Sequence, residues 1–429
     1  MPSDSTSRRL LPRRVVACTV VAALGLVGCS LNKVFDQAER VEAVGTISGK
    51  VTAQQVSQKD LIVALLRKSG TADLTLYSFL SPAANGQFTA SVPAGDFYVG
   101  AFVDENRDGH FQPGEPGHFY GNPSLVSVRA GESASISITL TPTSAPQYLA
   151  LPAGSPPQPE VWRNIGVVTT LDDPRFDPDN GMLGMWRPFD FLAGPEGGLF
   201  LLDEYDPQRI PVLFVHGIGG TPRDFAKTIA GLDQQRYQPW VLYYPSGVRL
   251  DMVADGFASA MQQLQRRFGF RQYALVAHSM GGLVGRAYVQ RYQERYPEDS
   301  RALRLLVTVN SPFGGSASAA VAVESSPIVV PSWQDVATGS EFIARLMQQS
   351  LPKELPYYLV FSYEGDKNGD GTVPLTSQLP AVFQSQATRL FGFQGTHVGT
   401  LSDPAFVALL NQLLGRSMAP PAEPRAASR

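Results

Sequence analysis

The chain has 429 residues, 43% of them hydrophobic, and a formal net charge of −3. That length exceeds one ordinary core, so two domains are expected, and the apolar content excludes a disordered chain. The first 28 residues carry four arginines and one aspartate, which leaves −6 on the remainder, a mildly acidic body that excludes a nucleic-acid partner.

Arg8-Arg9 and Arg13-Arg14 precede an apolar run from Val15 to Val27. A basic start followed by so short an apolar stretch reads as a signal peptide over 1–28, too short to persist as a spanning helix. It ends in Leu26-Val27-Gly28-Cys29, which resembles a bacterial lipobox. The resemblance implies cleavage before Cys29, diacylation of that cysteine, and a lipid-anchored protein of the bacterial cell envelope. Inner and outer membrane both stay open, with Ser30 favouring the outer. The other cysteine is Cys18, so the folded part has neither a disulfide nor a thiolate metal site. Residues 29–44 are polar and read as a short helix or a tether.

Over 45–141 the texture is short and alternating, as in Ser133-Ala134-Ser135-Ile136-Ser137-Ile138-Thr139-Leu140, with turn signals at Asn85-Gly86 and Pro93-Ala94-Gly95. This predicts a small all-β sandwich. The run from Gly86-Gln87-Phe88 to Phe97-Tyr98-Val99 resembles transthyretin-like or carboxypeptidase-regulatory-like modules. Within it, Asp104 to Glu115 fits a twelve-residue calcium loop, with oxygens at positions 1, 3 and 5, glycine at 6 and glutamate at 12. Asp104, Asn106, Asp108 and Glu115 would supply side chains and His110 its carbonyl, for a structural Ca2+ set between strands. The alternative is a polar hairpin loop without metal.

Residues 142–197 read as a proline-rich linker and an N-terminal extension whose acidic residues Asp172, Asp173, Asp177 and Asp179 form a solvated turn region. From 198 to 416 strand and helix signals alternate. Leu199–Leu202, Val212–Val215, Trp240–Tyr243, Tyr273–Ala277, Arg304–Val309, Tyr357–Phe361 and Leu390–Phe393 are predicted strands, and Asp251–Phe268 and Asp403–Leu414 predicted helices. That order describes a parallel sheet flanked by helices. Residues 417–429 read as a disordered tail.

The candidate chemistry centres on Ala277-His278-Ser279-Met280-Gly281-Gly282, at the passage from a strand to a helix. A serine between small residues there forms a nucleophile elbow, its hydroxyl near a helix N-terminus. Serine needs a base, an orienter and an oxyanion hole. The domain contains three histidines. His278 is beside the nucleophile with its side chain directed away, and His216 follows a strand in His216-Gly217-Ile218-Gly219-Gly220, where loop support is the favoured role. His397, after the last strand, is left as the base.

Asp366-Lys367-Asn368-Gly369-Asp370-Gly371-Thr372-Val373-Pro374 occupies the place of the acid. Asp-Gly-Thr-Val-Pro resembles the acid loop of bacterial lipases, which selects Asp370, with Asp366 as runner-up. The glycine-rich segment after His216 resembles the lipase oxyanion loop, and by that match the N–H groups of Ile218 and Met280 are the oxyanion donors. The order Ser279, Asp370, His397 is that of α/β-hydrolases. The whole resembles α/β-hydrolases of the bacterial lipase and esterase type, with a smaller N-terminal all-β sandwich.

That resemblance implies a membrane-anchored serine hydrolase that cleaves carboxylic esters, acyl esters or lipids through an acyl-enzyme, with no cofactor for catalysis. Acyl transfer or protein deacylation on the same scaffold is an alternative, as is a non-catalytic calcium-binding surface module. The apolar stretch within 317–349 reads as a lid or as packing over the sheet. Oligomeric state is left open.

Overall fold

The computed structural model describes residues 33, 36–37, 43–53, 60–69, 73–106, 111–112, 114–141, 163–365 and 368–418. The segment 1–28 read as a signal peptide, Cys29, Asp108, His110, residues 142–162, Asp366 and the residues after 418 lie outside them.

The N-terminal part consists of β1 (Val44–Ala53), β2 (Leu61–Ser69), β3 (Asp73–Leu80), β4 (Gln87–Pro93), β5 (Gly95–Val103), β6 (Gly117–Phe119), β7 (Leu125–Val128) and β8 (Ser133–Leu140). They form two sheets, β4-β1-β8 and β3-β2-β5-β6, with β7 beside β5. The alternation read from the sequence is obeyed in β8, where Ile136, Ile138 and Leu140 are buried between exposed Ser135, Ser137 and Thr139. These apolar residues meet Ile47, Val63, Phe97 and Val99 in one core enclosed by both sheets.

A third sheet contains β9 (Asn164–Val168), β10 (Gly198–Leu201), β11 (Ile210–Val215), β12 (Tyr237–Tyr243), β13 (Tyr273–His278), β14 (Leu303–Val309), β15 (Tyr357–Tyr363) and β16 (Arg389–Gln394). Its order is β16-β15-β14-β13-β11-β12-β10-β9. All seven predicted strands are present, with two differences. β10 runs antiparallel to β12, so the sheet is mixed rather than wholly parallel. The loop from β10 to β11 is too short for a parallel crossover, which takes a dozen residues or more. β9 pairs in parallel with β10, so the sheet begins before residue 198. Five residues interrupted by Gly166 at φ 71° left only a faint strand signal.

The helices are α1 (Pro178–Trp186), α2 (Pro188–Ala193), α3 (Ala226–Ala230), α4 (Leu250–Phe268), α5 (Met280–Arg295), α6 (Ala317–Ser325), α7 (Pro331–Val336), α8 (Glu341–Gln348), α9 (Leu375–Gln378), α10 (Ala381–Gln386) and α11 (Pro404–Ser417). Every side chain of β11 and β13 is buried, because helices cover both faces of the sheet. Leu213 and Val215 face a core shared with α4 and α5, while Val212 and Phe214 face one shared with α11. α4 buries Val253, Phe257, Met261 and Leu264 at helical spacing and ends on Gly269 at φ 66°.

Segment 317–349 divides in its packing. α8 buries Phe342, Ile343 and Leu346, whereas α6 buries no residue. The two halves of the molecule meet at Arg266 of α4, which donates to Ser81 Oγ (3.1 Å) and the Leu61 carbonyl (3.3 Å) and pairs with Asp104 (3.4 Å). No helix among the described residues is long and apolar enough to cross a membrane.

Candidate active site

Ser279 stands between β13 and α5 with φ 55° and ψ −129°, a strained conformation for a residue that has a side chain. Its N–H donates to the Val309 carbonyl (2.8 Å), which ties the turn to the neighbouring strand. The close approach explains Gly281, where a Cβ would stand 2.4 Å from the His216 carbonyl oxygen. Ala277 stands in place of the more usual glycine and faces Gly285 of α5. A Cβ there would stand 3.4 Å from the Ala277 methyl, an ordinary packing distance.

Ser279, His397 and Asp370 come together from three strand ends. His397 Nε2 lies 2.9 Å from Ser279 Oγ, and His397 Nδ1 lies 2.7 Å from Asp370 Oδ2. With Nδ1–H donating to the carboxylate, Nε2 is free to accept the serine proton. Burial alone would raise the Asp370 carboxyl. The bond from His397 and the N–H groups of Val373 (2.7 Å) and Thr372 (2.9 Å) outweigh it and bring the group below its ordinary value. Asp370 is therefore ionised at neutral pH and orients the imidazole.

The oxyanion loop is held by its histidine. The Tyr244 N–H donates to His216 Nε2 (3.4 Å), so Nδ1 carries the proton and donates to the Gly217 carbonyl (2.7 Å). Tyr244 stacks on the ring at 4.3 Å, and its hydroxyl donates to the His216 carbonyl (2.9 Å). Complete burial lowers His216 to about 4, which keeps it neutral. Gly219 N–H donates to Ser246 Oγ (2.9 Å). Among the described residues, the N–H groups of Ile218 and Met280 meet no protein acceptor, the condition for an oxyanion hole. Thr221 and Asp224 close a capping box behind the loop, starting the helical turn at Pro222.

His278 does more than line the elbow. Its Nε2 donates to the His397 carbonyl (2.9 Å), which also accepts from Asn310 Nδ2 (2.8 Å). Burial, with His397 close by, lowers His278 to about 3, so it acts as a neutral donor. The His397 N–H donates in turn to the Asp370 carbonyl (3.0 Å). The backbone of the base is thus gripped on both sides. Gln378 completes the acid's cradle, its Nε2 donating to the Val373 carbonyl (2.8 Å), the Ser362 carbonyl (3.0 Å) and Asp370 Oδ2 (3.2 Å).

Sequence reasoning gave neither Asn310 nor Gln378 a role in the site. Asn310 directly follows β14 at φ 53°, a conformation asparagine tolerates. Gln378 carries no local signal; it reaches Asp370 only because the short α9 folds beneath the acid loop.

The Asp104–Glu115 loop has other engagements. Glu115 accepts the Glu105 N–H (2.9 Å) on one oxygen and the Gln112 N–H (2.8 Å) on the other. Asp104 faces Arg266. Among the described residues, no group of three or more His, Cys, Asp or Glu side chains converges as a metal site. The contacts of Asp104 and Glu115 suit loop closure and domain contact.

The mixed eight-stranded sheet, the strained elbow and the order of serine, acid and histidine define an α/β hydrolase. Residues 248–389, about a third of the chain, match a family described as alpha/beta hydrolase of unknown function (DUF915). The matched stretch includes Ser279 and Asp370 and stops short of His397. The chain is similar to a gene product of Listeria innocua at 18% identity, over 49% of this chain and 96% of that one, with a TM-score of 0.39. It is similar to Bacillus licheniformis lipase BlEst2 in its mature form at 19% identity, over 51% and 99%, with a TM-score of 0.41. For Aspergillus fumigatus lipase B the figures are 17%, 52%, 56% and 0.40. No curated protein matches the chain.

Proposed function

We propose that this chain is a lipid-anchored serine hydrolase of carboxylic esters, held in the bacterial cell envelope through Cys29 and acting on acyl esters or lipids. The observation that carries the reading is the unbroken path from Ser279 Oγ through His397 to Asp370, at 2.9 and 2.7 Å. Ser279 Oγ attacks the ester carbonyl carbon while His397 Nε2 takes its proton. The N–H groups of Ile218 and Met280 stabilise the oxyanion. Collapse breaks the bond to the leaving alcohol, which receives the proton from His397, and an acyl-Ser279 remains. Water, deprotonated by His397, attacks that acyl group, and Ser279 leaves with the returned proton. Asp370 stays ionised throughout and holds the imidazole in its working tautomer.

The reaction needs no cofactor, and a calcium ion in the Asp104–Glu115 loop would serve the β domain alone. The deciding experiment is hydrolysis of a p-nitrophenyl ester series of increasing chain length by wild type and Ser279→Ala, with fluorophosphonate labelling alongside. Activity and labelling that both vanish in the variant support the reading. A wild type that neither labels nor turns over any ester overturns it.

A further inference from the structure

Arg286 lies seven residues after Ser279, two turns into the helix that the nucleophile begins, and it is 0% exposed. An arginine so deeply buried is ordinarily paired with a carboxylate. Among the described residues none pairs with this one, and its Nε and Nη1 meet no hydrogen-bond acceptor. Aromatic faces take that place. The guanidinium carbon lies 4.6 Å from the centre of the Phe383 ring, 5.3 Å from that of Tyr357 and 6.0 Å from that of Phe313. Nη2 donates to Gln386 Oε1 (2.7 Å) and, at longer range, to the Gln349 carbonyl (3.5 Å). Burial lowers the basicity of the group, and the Tyr357 hydroxyl beside it opposes that in part.

These partners lead to the supports of both the base and the acid. Phe313 and Phe383 stack at 4.4 Å, and Phe313 sits in the loop 310–315 that follows β14. That loop starts with Asn310, whose Nδ2 donates to the His397 carbonyl (2.8 Å). It ends against α9, where the Gly314 N–H donates to the Ser377 carbonyl (2.8 Å) and Ser377 Oγ donates to the Gly315 carbonyl (2.6 Å). The neighbouring Gln378 holds Asp370. Gln386 Oε1 also accepts the Leu351 N–H (3.2 Å), at the approach to β15, the strand that leads to the acid loop. Tyr357 opens that strand, its hydroxyl 3.1 Å from Thr308 Oγ1 of β14.

The start of α5 gives this loop no side chain to hold, because a Cβ on Gly282 would stand 1.9 Å from Ser311 Oγ. The helix reaches the loop further along, at Arg286. A planar fork lying on ring faces, with one N–H on Gln386, fixes rotation as well as distance. An unpaired buried charge is a poor way to stabilise a fold, and an apolar side chain of like volume is often as good or better. Geometry is what the guanidinium contributes. We propose that Arg286 is a positioning residue for ester hydrolysis, acting through Phe313 and Phe383 to keep loop 310–315, and with it His397 and Asp370, in register with Ser279. The inference rests on the serine-hydrolase reading and adds a residue to its machinery.

The test is Arg286→Met in the full chain, read by steady-state hydrolysis of p-nitrophenyl butyrate beside calorimetry. A small displacement between Ser279 and His397 slows the chemical step and leaves substrate binding alone. The expected result is a kcat about tenfold lower with KM unchanged, while Tm stays equal or rises. A side chain that served the fold alone would lower Tm and kcat together. The coupling is read with Asn310→Ala, which costs a few-fold in the wild type and little more once Arg286 is gone, because its loop has already shifted. Phe313→Leu keeps an apolar side chain and removes the ring. It should repeat the loss of kcat and add little to it in the double variant with Arg286→Met.

Full kcat in Arg286→Met overturns the proposal, and so does a loss of kcat matched by a fall in Tm. Should Arg286→Met not fold, Phe313→Leu decides: full kcat there overturns the proposal, and a loss with KM unchanged supports it. A wild type with no Ser279-dependent turnover sinks the hydrolase reading, and this role with it, before any variant of Arg286 is made. Wild-type turnover with Arg286→Met and Asn310→Ala strictly additive sinks the positioning role alone.

Discussion

The acid–base side of the site and helix α6 are held in opposite ways. On the side of Asp370 and His397 the polar atoms are closed by hydrogen bonds. The carboxylate accepts from Thr372, Val373, His397 and Gln378, and the His397 carbonyl accepts from both His278 and Asn310. In α6 no side chain is buried at all. Proton transfer between Ser279 and His397 depends on tenths of an ångström, so rigidity belongs to the acid–base side. A short helix that holds no reacting group can be left loosely packed.

The largest break of that contrast is Ser279→Ala, which removes the nucleophile from the rigid side's reach. We expect kcat on a soluble ester to fall about a millionfold, with His397→Ala equally severe and the double variant no worse, read by steady-state rates. Next is Asp370→Asn, which keeps the shape and loses the charge that sets the His397 tautomer. The expected loss is about ten-thousandfold in kcat with KM little changed. A loss smaller than about tenfold would hand the acid role to Asp366.

Asn310→Ala and His278→Ala sharpen the comparison, because each removes one of two donors to a single carbonyl. Each should lower kcat a few-fold, for about 1 kcal/mol, and the double variant should exceed the product of the two. An additive double variant would show that the two donors act separately.

Acidification tests the rigid side through stability. His216 and His278 are held at about 4 and about 3, below an ordinary value of 6.5, so the unfolded chain binds more protons between those limits. Their contribution is complete above pH 6.5 and is lost as pH falls toward 4 and 3. Asp370, also lowered, acts with the same sign at lower pH. Tm should therefore drop from pH 7 to pH 4, and His278→Ala should flatten that slope. The smallest effect belongs to the loose helix. Val321→Asp should leave stability within about 0.5 kcal/mol and soluble-ester kcat unchanged, as calorimetry and rates can read.

Much of this was legible in the chain. The apolar runs of β11 to β14 announce a sheet buried on both faces, and Ser279, Asp370 and His397 announce themselves by motif, chain order and elimination. Less legible were elements whose signal lies in their partners. β9 is five residues around a glycine and becomes a strand only beside β10. His278 shows as an elbow residue, and its bond to the His397 carbonyl depends on a loop more than a hundred residues away. Gln37 looks like part of a polar tether until its Oε1 meets the Phe189 N–H of α2 (2.7 Å).

The sequence by itself determined the strand and helix periods, the tight elbow and the chemical types available for catalysis. Those are local properties, set by side-chain volume, backbone freedom and the alternation of apolar residues. Tertiary structure alone decided which donors grip the base, which way β10 runs and where the N-terminal segment docks. These depend on hydrogen bonds between residues far apart in the chain, whose partners become neighbours only when the two cores close.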